Sequence, residues 1–441
     1  MVNAVDDTTS TVPAAGGART GGGGGAQGPL PKDRRRGALT RPARQSSLRE
    51  HNLSLALRYI VDSPVPTTRA RVADGTGLTK ATVSELVDLL VSARLVTELE
   101  PEAGERVGRP GVPLIPAART FVGLGLEVQV DHIAVRAVDL QGTTLYERVV
   151  HGDYRRSDPD LTLRQLAKLV EPVVATARAQ GGRVAGACVS VPGLARLGSG
   201  VVRYAPNLGW EDVDVTHVLG SSSALRDVPI EVGNDADLGA LAEARTRSRL
   251  AGLSRLDQNF LFIAGEVGIG GSIVLGGELA SGMHGWSGEI GHAVVDPNGP
   301  RCNCGALGCL EQFAGKDALA RAAGLSLEAS TETLRGMALK GDLQAISAIT
   351  TAATALGRTA SAAMSLIDVD RLILGGAYAV LCDLLRPGIE AELTSRVISR
   401  RWVPLHVEGA VSGEMASLTG AALRVIDHIV ADPNEWVGAG S

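Results

Sequence analysis

Near Phe121 the spacing of apolar residues changes, and one layer of structure cannot hold both patterns. Before it, Val83, Leu86, Val87 and Leu90 stand at i, i+3, i+4 and i+7, which is one face of a helix. Beyond it, Val122, Leu124, Leu126, Val128 and Val130 alternate with other residues, the period of a strand. The chain therefore reads as a helical unit followed by an α/β unit. At 441 residues, with 44% hydrophobic content, it is long enough to bury a core in each.

The helical unit, residues 44–117, begins with a helix from Leu48 to Val61. Thr68 is placed to cap a short helix from Arg69 to Gly75, Gly77 breaks the chain, and Thr79 caps a third helix from Lys80 to Ala93. A strand from Leu95 to Glu100, a tip rich in Pro, Gly and charge, and a second strand from Val112 to Ile115 follow. This order is that of a winged helix-turn-helix. Lys80, Ala81, Thr82 and Ser84 then face the major groove, with Thr68, Arg69 and Thr79 beside them. Arg106 and Arg109 at the hairpin tip reach phosphates or the minor groove. The bland alternative is a small helical bundle used for protein contacts. Ahead of this unit, residues 1–43 are of low complexity and read as a disordered tail. The basic run Lys32 to Arg44 there is a solvated linker or an arm on DNA.

From residue 120 to 430 strands come in threes followed by helices, twice over, which suits two α/β lobes with a cleft between them. Residues 431–441 read as a C-terminal tail. No apolar run approaches the ~18 residues of a membrane span, and the N-terminus lacks a basic region followed by an apolar one. The expected location is cytoplasmic, where clustered thiols hold metal in preference to forming disulfides. The net charge of −5 gives no global sign of nucleic-acid binding.

Three of the five cysteines lie in CNCGALGC, as Cys302, Cys304 and Cys309, and His292 precedes them. One imidazole and three thiolates make a complete tetrahedral set for Zn²⁺, so the site is structural; a catalytic zinc keeps one position open. Three free surface thiols are the alternative at this spacing.

The motif Cys302-x-Cys304-Gly305-x-x-Gly308-Cys309-x-Glu311, preceded by Glu289-x-Gly291-His292, resembles the hallmark of the ROK proteins, a family of sugar kinases and repressors. The resemblance extends over about residues 45–430, and the winged helix with Gly108-Arg109-Pro110 looks like the repressor branch. It implies an actin/hexokinase-like (RNase H-like) fold with a sugar between the lobes. The sugar-binding residues it implies are Asn234, Asp235, Glu289, His292 and Glu311, with Gly193 and Asn207 from further pocket segments. His292 would face zinc with one ring nitrogen and a sugar hydroxyl with the other. Read alone, Asp235 is equally a helix N-cap.

Kinases of this family carry Asp-x-Gly-Gly-Thr after the first strand and Gly-Thr-Gly-x-Gly later. Here the stretches are Glu127-Val128-Gln129-Val130-Asp131 and Glu266-Val267-Gly268-Ile269-Gly270. Glycines that admit phosphate are gone from the first, and a carboxylate replaces the start of the second. The expectation is a sugar-responsive repressor of carbohydrate uptake or catabolism genes with no catalytic residue. Its partners are double-stranded DNA, a small sugar and further copies of itself, as dimer or tetramer. The alternative is an ATP-dependent sugar kinase fused to a DNA-binding domain, with Asp235 as its base.

Overall fold

The computed structural model describes residues 45–100, 111–251 and 255–437. The expectations for residues 1–43, Arg106, Arg109 and the last four residues lie outside them.

The first unit forms as its caps dictate. The Thr68 hydroxyl accepts from the Arg71 amide to start the helix Arg69–Thr76, which ends at Gly77 with φ 71°. Thr79 likewise accepts from the Thr82 amide at the head of Lys80–Ser92, the helix that buries Val83, Leu86, Val87 and Leu90. Strands Thr67–Thr68, Pro113–Pro116 and Val96–Glu98 form a small sheet with Pro113–Pro116 in the middle, completing a winged helix.

Each lobe carries a five-stranded sheet, and both use one strand order. In the first, Thr144–His151, His132–Asp139 and Phe121–Val128 run antiparallel, and Arg183–Val191 and Ile230–Asn234 continue in parallel. In the second, Glu278–Leu279, Ile269–Leu275 and Phe260–Gly265 play the antiparallel part, and Arg371–Gly376 and His406–Gly409 the parallel part. The reading of strands in threes followed by helices describes both sheets. Helix Asp235–Ala251 packs on the second sheet and helix Ala416–Ala431 on the first. The two helices cross each other at Gly420, where an added Cβ would overlap the Leu238 carbonyl oxygen. Arg245 and Asp427 tie the crossing with a buried ion pair of 3.0 Å.

Several features depart from the sequence reading. The strands Glu278–Leu279 and His406–Gly409 and the short helix Val215–Gly220 were not expected. A second small sheet, Leu194–Ala195, Val201–Ala205 and Trp210–Asp214, joins the core of the first lobe. The single helix expected over 311–323 is two, Glu311–Ala314 and Lys316–Ala322, divided at Gly315. An additional helix, Thr331–Leu339, follows. The tail assigned to 431–441 is packed as far as Trp436, whose ring meets Phe121 edge-on at 5.2 Å and lies under the Arg183 guanidinium at 4.5 Å.

The winged helix does not stand apart from the lobes. Leu53, Leu57, Ile60 and Leu90 share one apolar cluster with Ile426, Ile429 and Val430. The Ser54 hydroxyl donates to the Val430 carbonyl at 2.8 Å, and the Thr120 hydroxyl donates to the Arg94 carbonyl at 2.9 Å.

Candidate functional site

All seven residues expected to meet a sugar line one cleft of about 290 Å³: Gly193, Asn207, Asn234, Asp235, Glu289, His292 and Glu311. They do not all have free polar atoms. Asn234 donates to the Gly193 carbonyl at 3.0 Å and accepts from the Ala236 and Asp237 amides at 2.9 and 3.2 Å. Asn234 is thus a cap of the following helix and the brace of the Gly193 turn, and Asp235 Oδ1 shares the Ala236 amide at 2.9 Å while its carboxylate borders the cleft. The Asp235 carboxylate takes the Gln129 amide at 3.1 Å. Burial raises its pKa to about 6, with Glu127 and Glu289 pushing the same way. Over Gly268, Glu311 Oε1 and Asn207 Nδ2 converge; a Cβ there would sit 2.6 and 3.4 Å from them.

Beside this wall the loop 293–310 folds back on itself. Val294 bridges Cys309 and Arg301 bridges Leu307, and Gly305 and Gly308 adopt φ of 97° and 67°, which favours glycine strongly. The donor atoms of His292, Cys302, Cys304 and Cys309 all lie within 4.8 Å of one another. Cys304 and Cys309 Sγ are 3.6 Å apart, and Cys302 Sγ is 3.7 Å from His292 Nδ1. Four ligands at ~2.3 Å around a tetrahedral ion stand about 3.8 Å from each other, so the donor set and its spacing fit zinc. All three thiols are free of disulfides. His292 Nε2 points the other way, 4.0 Å from Glu289 Oε2.

The turns after Phe121–Val128 and Phe260–Gly265 are both acidic, and they are built differently. At the first, Glu127 is 1% exposed and accepts from the Ser190 and Ser417 hydroxyls. The His132 imidazole bridges Glu127 at 3.2 Å and Asp131 at 2.7 Å. Burial acts to lower the His132 pKa, but the hydrogen bonds to Asp131 and Glu127 outweigh it and raise it to about 9. A cation therefore sits between the two carboxylates. At the second turn, Glu266 lines the cleft. Burial, joined by the Asp235 and Glu127 carboxylates, raises its pKa to about 8. Gln129 and His132 escaped the sequence reading. The signal was there, since Glu127, Gln129 and Asp131 alternate within an apolar run and so share one face.

On the winged helix, Lys80 and Ala81 are exposed and Thr82 and Ser84 half-buried. Thr79 is exposed as well, but its hydroxyl is engaged as the cap and by the Thr82 hydroxyl at 2.8 Å. Thr68 is engaged in the same way at the preceding helix. The Arg69 guanidinium is held by Asp88 at 2.6 Å and by Glu98, so it joins helix to wing. Arg71, two residues on, has an exposed position.

Among the described residues no helix is long and apolar enough to cross a membrane. The sequence model of the ROK family matches residues 123–428. The xylose repressor of Bacillus subtilis strain 168 is 26% identical over 389 residues, spanning 88% of this chain and 98% of its own length. Kanosamine kinase of Amycolatopsis mediterranei S699 is 32% identical over 235 residues, 53% of this chain and 74% of its own. A crystal structure of a ROK family transcriptional regulator, a homologue of the Escherichia coli Mlc protein, superposes with a TM-score of 0.71 at 24% identity, covering 87% of this chain and 97% of that one.

Proposed function

The chain belongs to the ROK family, and from that premise we propose that it is a sugar-responsive, DNA-binding repressor of genes for carbohydrate uptake or catabolism. The observation that carries this reading is the pairing of a winged helix with a cleft that Glu266 lines, while Glu127 and Asp131 occupy the corresponding turn of the first lobe. Phosphoryl transfer needs donors and a metal to spread negative charge; these turns present carboxylates instead. The likeness to a protein named xylose repressor agrees.

In this reading Asp235, Glu289, His292 and Glu311 hold sugar hydroxyls, which both donate and accept. Lys80, Ala81, Thr82 and Ser84 approach base edges of double-stranded DNA, with Arg71 on phosphate in place of Arg69. Zinc, when bound by His292, Cys302, Cys304 and Cys309, supplies charge neutralisation and a fixed loop, with no reaction of its own. His292 keeps Nε2 toward the sugar, the second role such a ligand takes. Two copies of the chain would read two half-sites, whose spacing sets affinity.

A DNA-retention assay with the chain's own upstream region, repeated across a panel of sugars, tests DNA binding, effector and sign together. Sequence-independent retention that no sugar changes defeats the proposal. One observation favours a second reading, a kinase: Asp235 is buried with a pKa near 6, suited to a general base, and kanosamine kinase is a relative. Sugar-dependent ATP turnover that disappears in Asp235→Asn establishes that reading.

A further inference from the structure

The cleft does not end at Glu311. A second pocket of about 360 Å³ adjoins it, and the two share Asn207, Val267, Asn303 and Glu311. These four residues form a neck between an inner and an outer compartment. Two of them reach it from different lobes. Asn207 lies between the strands Val201–Ala205 and Trp210–Asp214 of the first lobe, and Glu311 heads the helix Glu311–Ala314 of the second. Both side chains converge over Gly268, where an added Cβ would bear on them; glycine there leaves them room.

The compartments differ in chemistry. The inner one presents acids such as Asp235 and Glu289, with His292. The outer one adds Gln312, Asp317 and Arg321 to the amides of Asn207 and Asn303 at the neck. Asn303 belongs to the thiol loop, between Cys302 and Cys304. Val267 is the one apolar side chain among the seven described residues of this pocket. Amides, a guanidinium and a carboxylate set donors and acceptors side by side, as adjacent hydroxyls on a ring require. The protein does not spend this capacity on itself. Among the described residues the side chains of Asn207, Asn303, Gln312 and Arg321 make no hydrogen bond or ion pair, although Asn207 and Gln312 are half-buried. Asp317 and Arg321 stand one turn apart on the helix Lys316–Ala322 without pairing. Asp317 Oδ1 is buried with no hydrogen-bond partner, whereas an acid kept for structure is ordinarily given one.

A single sugar ring in the inner compartment would leave the outer set unused. Taken alone, each cavity lies near the lower bound of ligand sites, ~300 Å³; joined through the neck, they suit a ligand of two such units. Resting on the reading of this cleft as a sugar site, we infer that the effector is a disaccharide. One ring lies on Asp235, Glu289 and His292, the linkage passes Asn207 and Glu311, and Asn303, Gln312 and Arg321 read the second ring.

Calorimetric titration of the full chain tests this with matched sets. Glucose, cellobiose, maltose and phenyl glucoside make one set; xylose, xylobiose and phenyl xyloside make the next, and the mannose and galactose sets follow. The expected result is one disaccharide bound about 10-fold or more tighter than either of its single sugars, the scale of one or two neutral hydrogen bonds. The phenyl glycoside, which brings no hydroxyls to the outer pocket, shows no such gain. In Gln312→Ala and in Arg321→Ala the disaccharide loses most of its advantage while the single sugar keeps its affinity, which also shows that the variants are folded. Equal affinity for one ring and two overturns the inference, as does an advantage that survives both substitutions or a phenyl glycoside that matches the disaccharide. A parallel loss of single-sugar affinity in both variants makes their role structural and overturns it as well. Absence of binding by every sugar is a separate failure and defeats the sugar-cleft reading itself; single sugars that bind with no gain from a second ring leave that reading standing.

Discussion

The two lobes repeat one strand order, so the turn after Phe121–Val128 and the turn after Phe260–Gly265 occupy corresponding places. Both carry acids, Glu127 and Asp131 at the first and Glu266 at the second. The first turn is self-sufficient. Glu127 has Ser190, Ser417 and His132, and Asp131 has His132 as well. At the second, the Glu266 carboxylate is left to the cavity. The contrast teaches that acids at corresponding turns can be closed off or left open. What separates them is whether the fold supplies the counter-charge.

Four experiments set the two turns against each other. The largest effect is expected from stripping metal. Removing zinc with a chelator should loosen the wall of Glu289, His292 and Glu311 next to the second turn, while the first turn shares no residue with the thiol cluster. Sugar response and thermal stability should fall together, since a structural zinc contributes folding free energy. A metal-free chain with undiminished sugar affinity would sink the bracing role. Next, Glu127→Ala leaves the His132 cation buried beside one carboxylate, and a loss of about 3 kcal/mol in urea unfolding is expected. A loss under about 1 kcal/mol would mean that the first turn is no plug.

The pH dependence is smaller and separates the turns by window. His132 has a folded pKa of about 9 against 6.5, so its contribution is complete below about 6.5 and is lost as pH rises through 9. Glu266, raised from 4.5 to about 8, holds its proton better folded than unfolded, so stability also declines with pH between those values. Asp235 and Asp237, raised to about 6 and 7, act in the same direction. Urea midpoints at pH 5, 7 and 9 should therefore fall in that order without ligand. The smallest effect belongs to Glu266→Gln. It should leave stability at pH 7 unchanged, and it should flatten the fall between pH 5 and 8. A variant as damaged as Glu127→Ala would erase the distinction between the turns.

Much of this was legible in the chain. Alternation and turn residues exposed both sheets, and capping residues fixed the winged helix, because those signals are local. The thiol motif could be read from side-chain chemistry, and the seven cleft residues do converge. Other features depend on distant partners. Asn234 and Asp235 are adjacent and both can cap; that Asn234 also braces the Gly193 turn, 41 residues away, has no local signal. Arg69 looked like a DNA contact because Asp88 and Glu98 reach it from other elements. The sheet at 194–214 was missed since its strands have two to five residues, too short for a periodic signal. Trp436 was set aside as tail although its partners, Phe121 and Arg183, lie more than 250 positions earlier.

The helix Ala416–Ala431 starts at the cleft, where Ala416 and Ser417 line the cavity, and ends where Val430 accepts the Ser54 hydroxyl of the first helix. Its 16 residues form a rod of about 24 Å. Such a rod is a lever arm: tilting it by ~5° about the cleft end swings the far end by ~2 Å. Arg136 holds it through Thr419 near one end, and the Arg245–Asp427 pair holds it near the other. If a ligand in the cleft tilted this helix, the displacement would be larger at the first helix than at the cavity, since the two lie at its opposite ends.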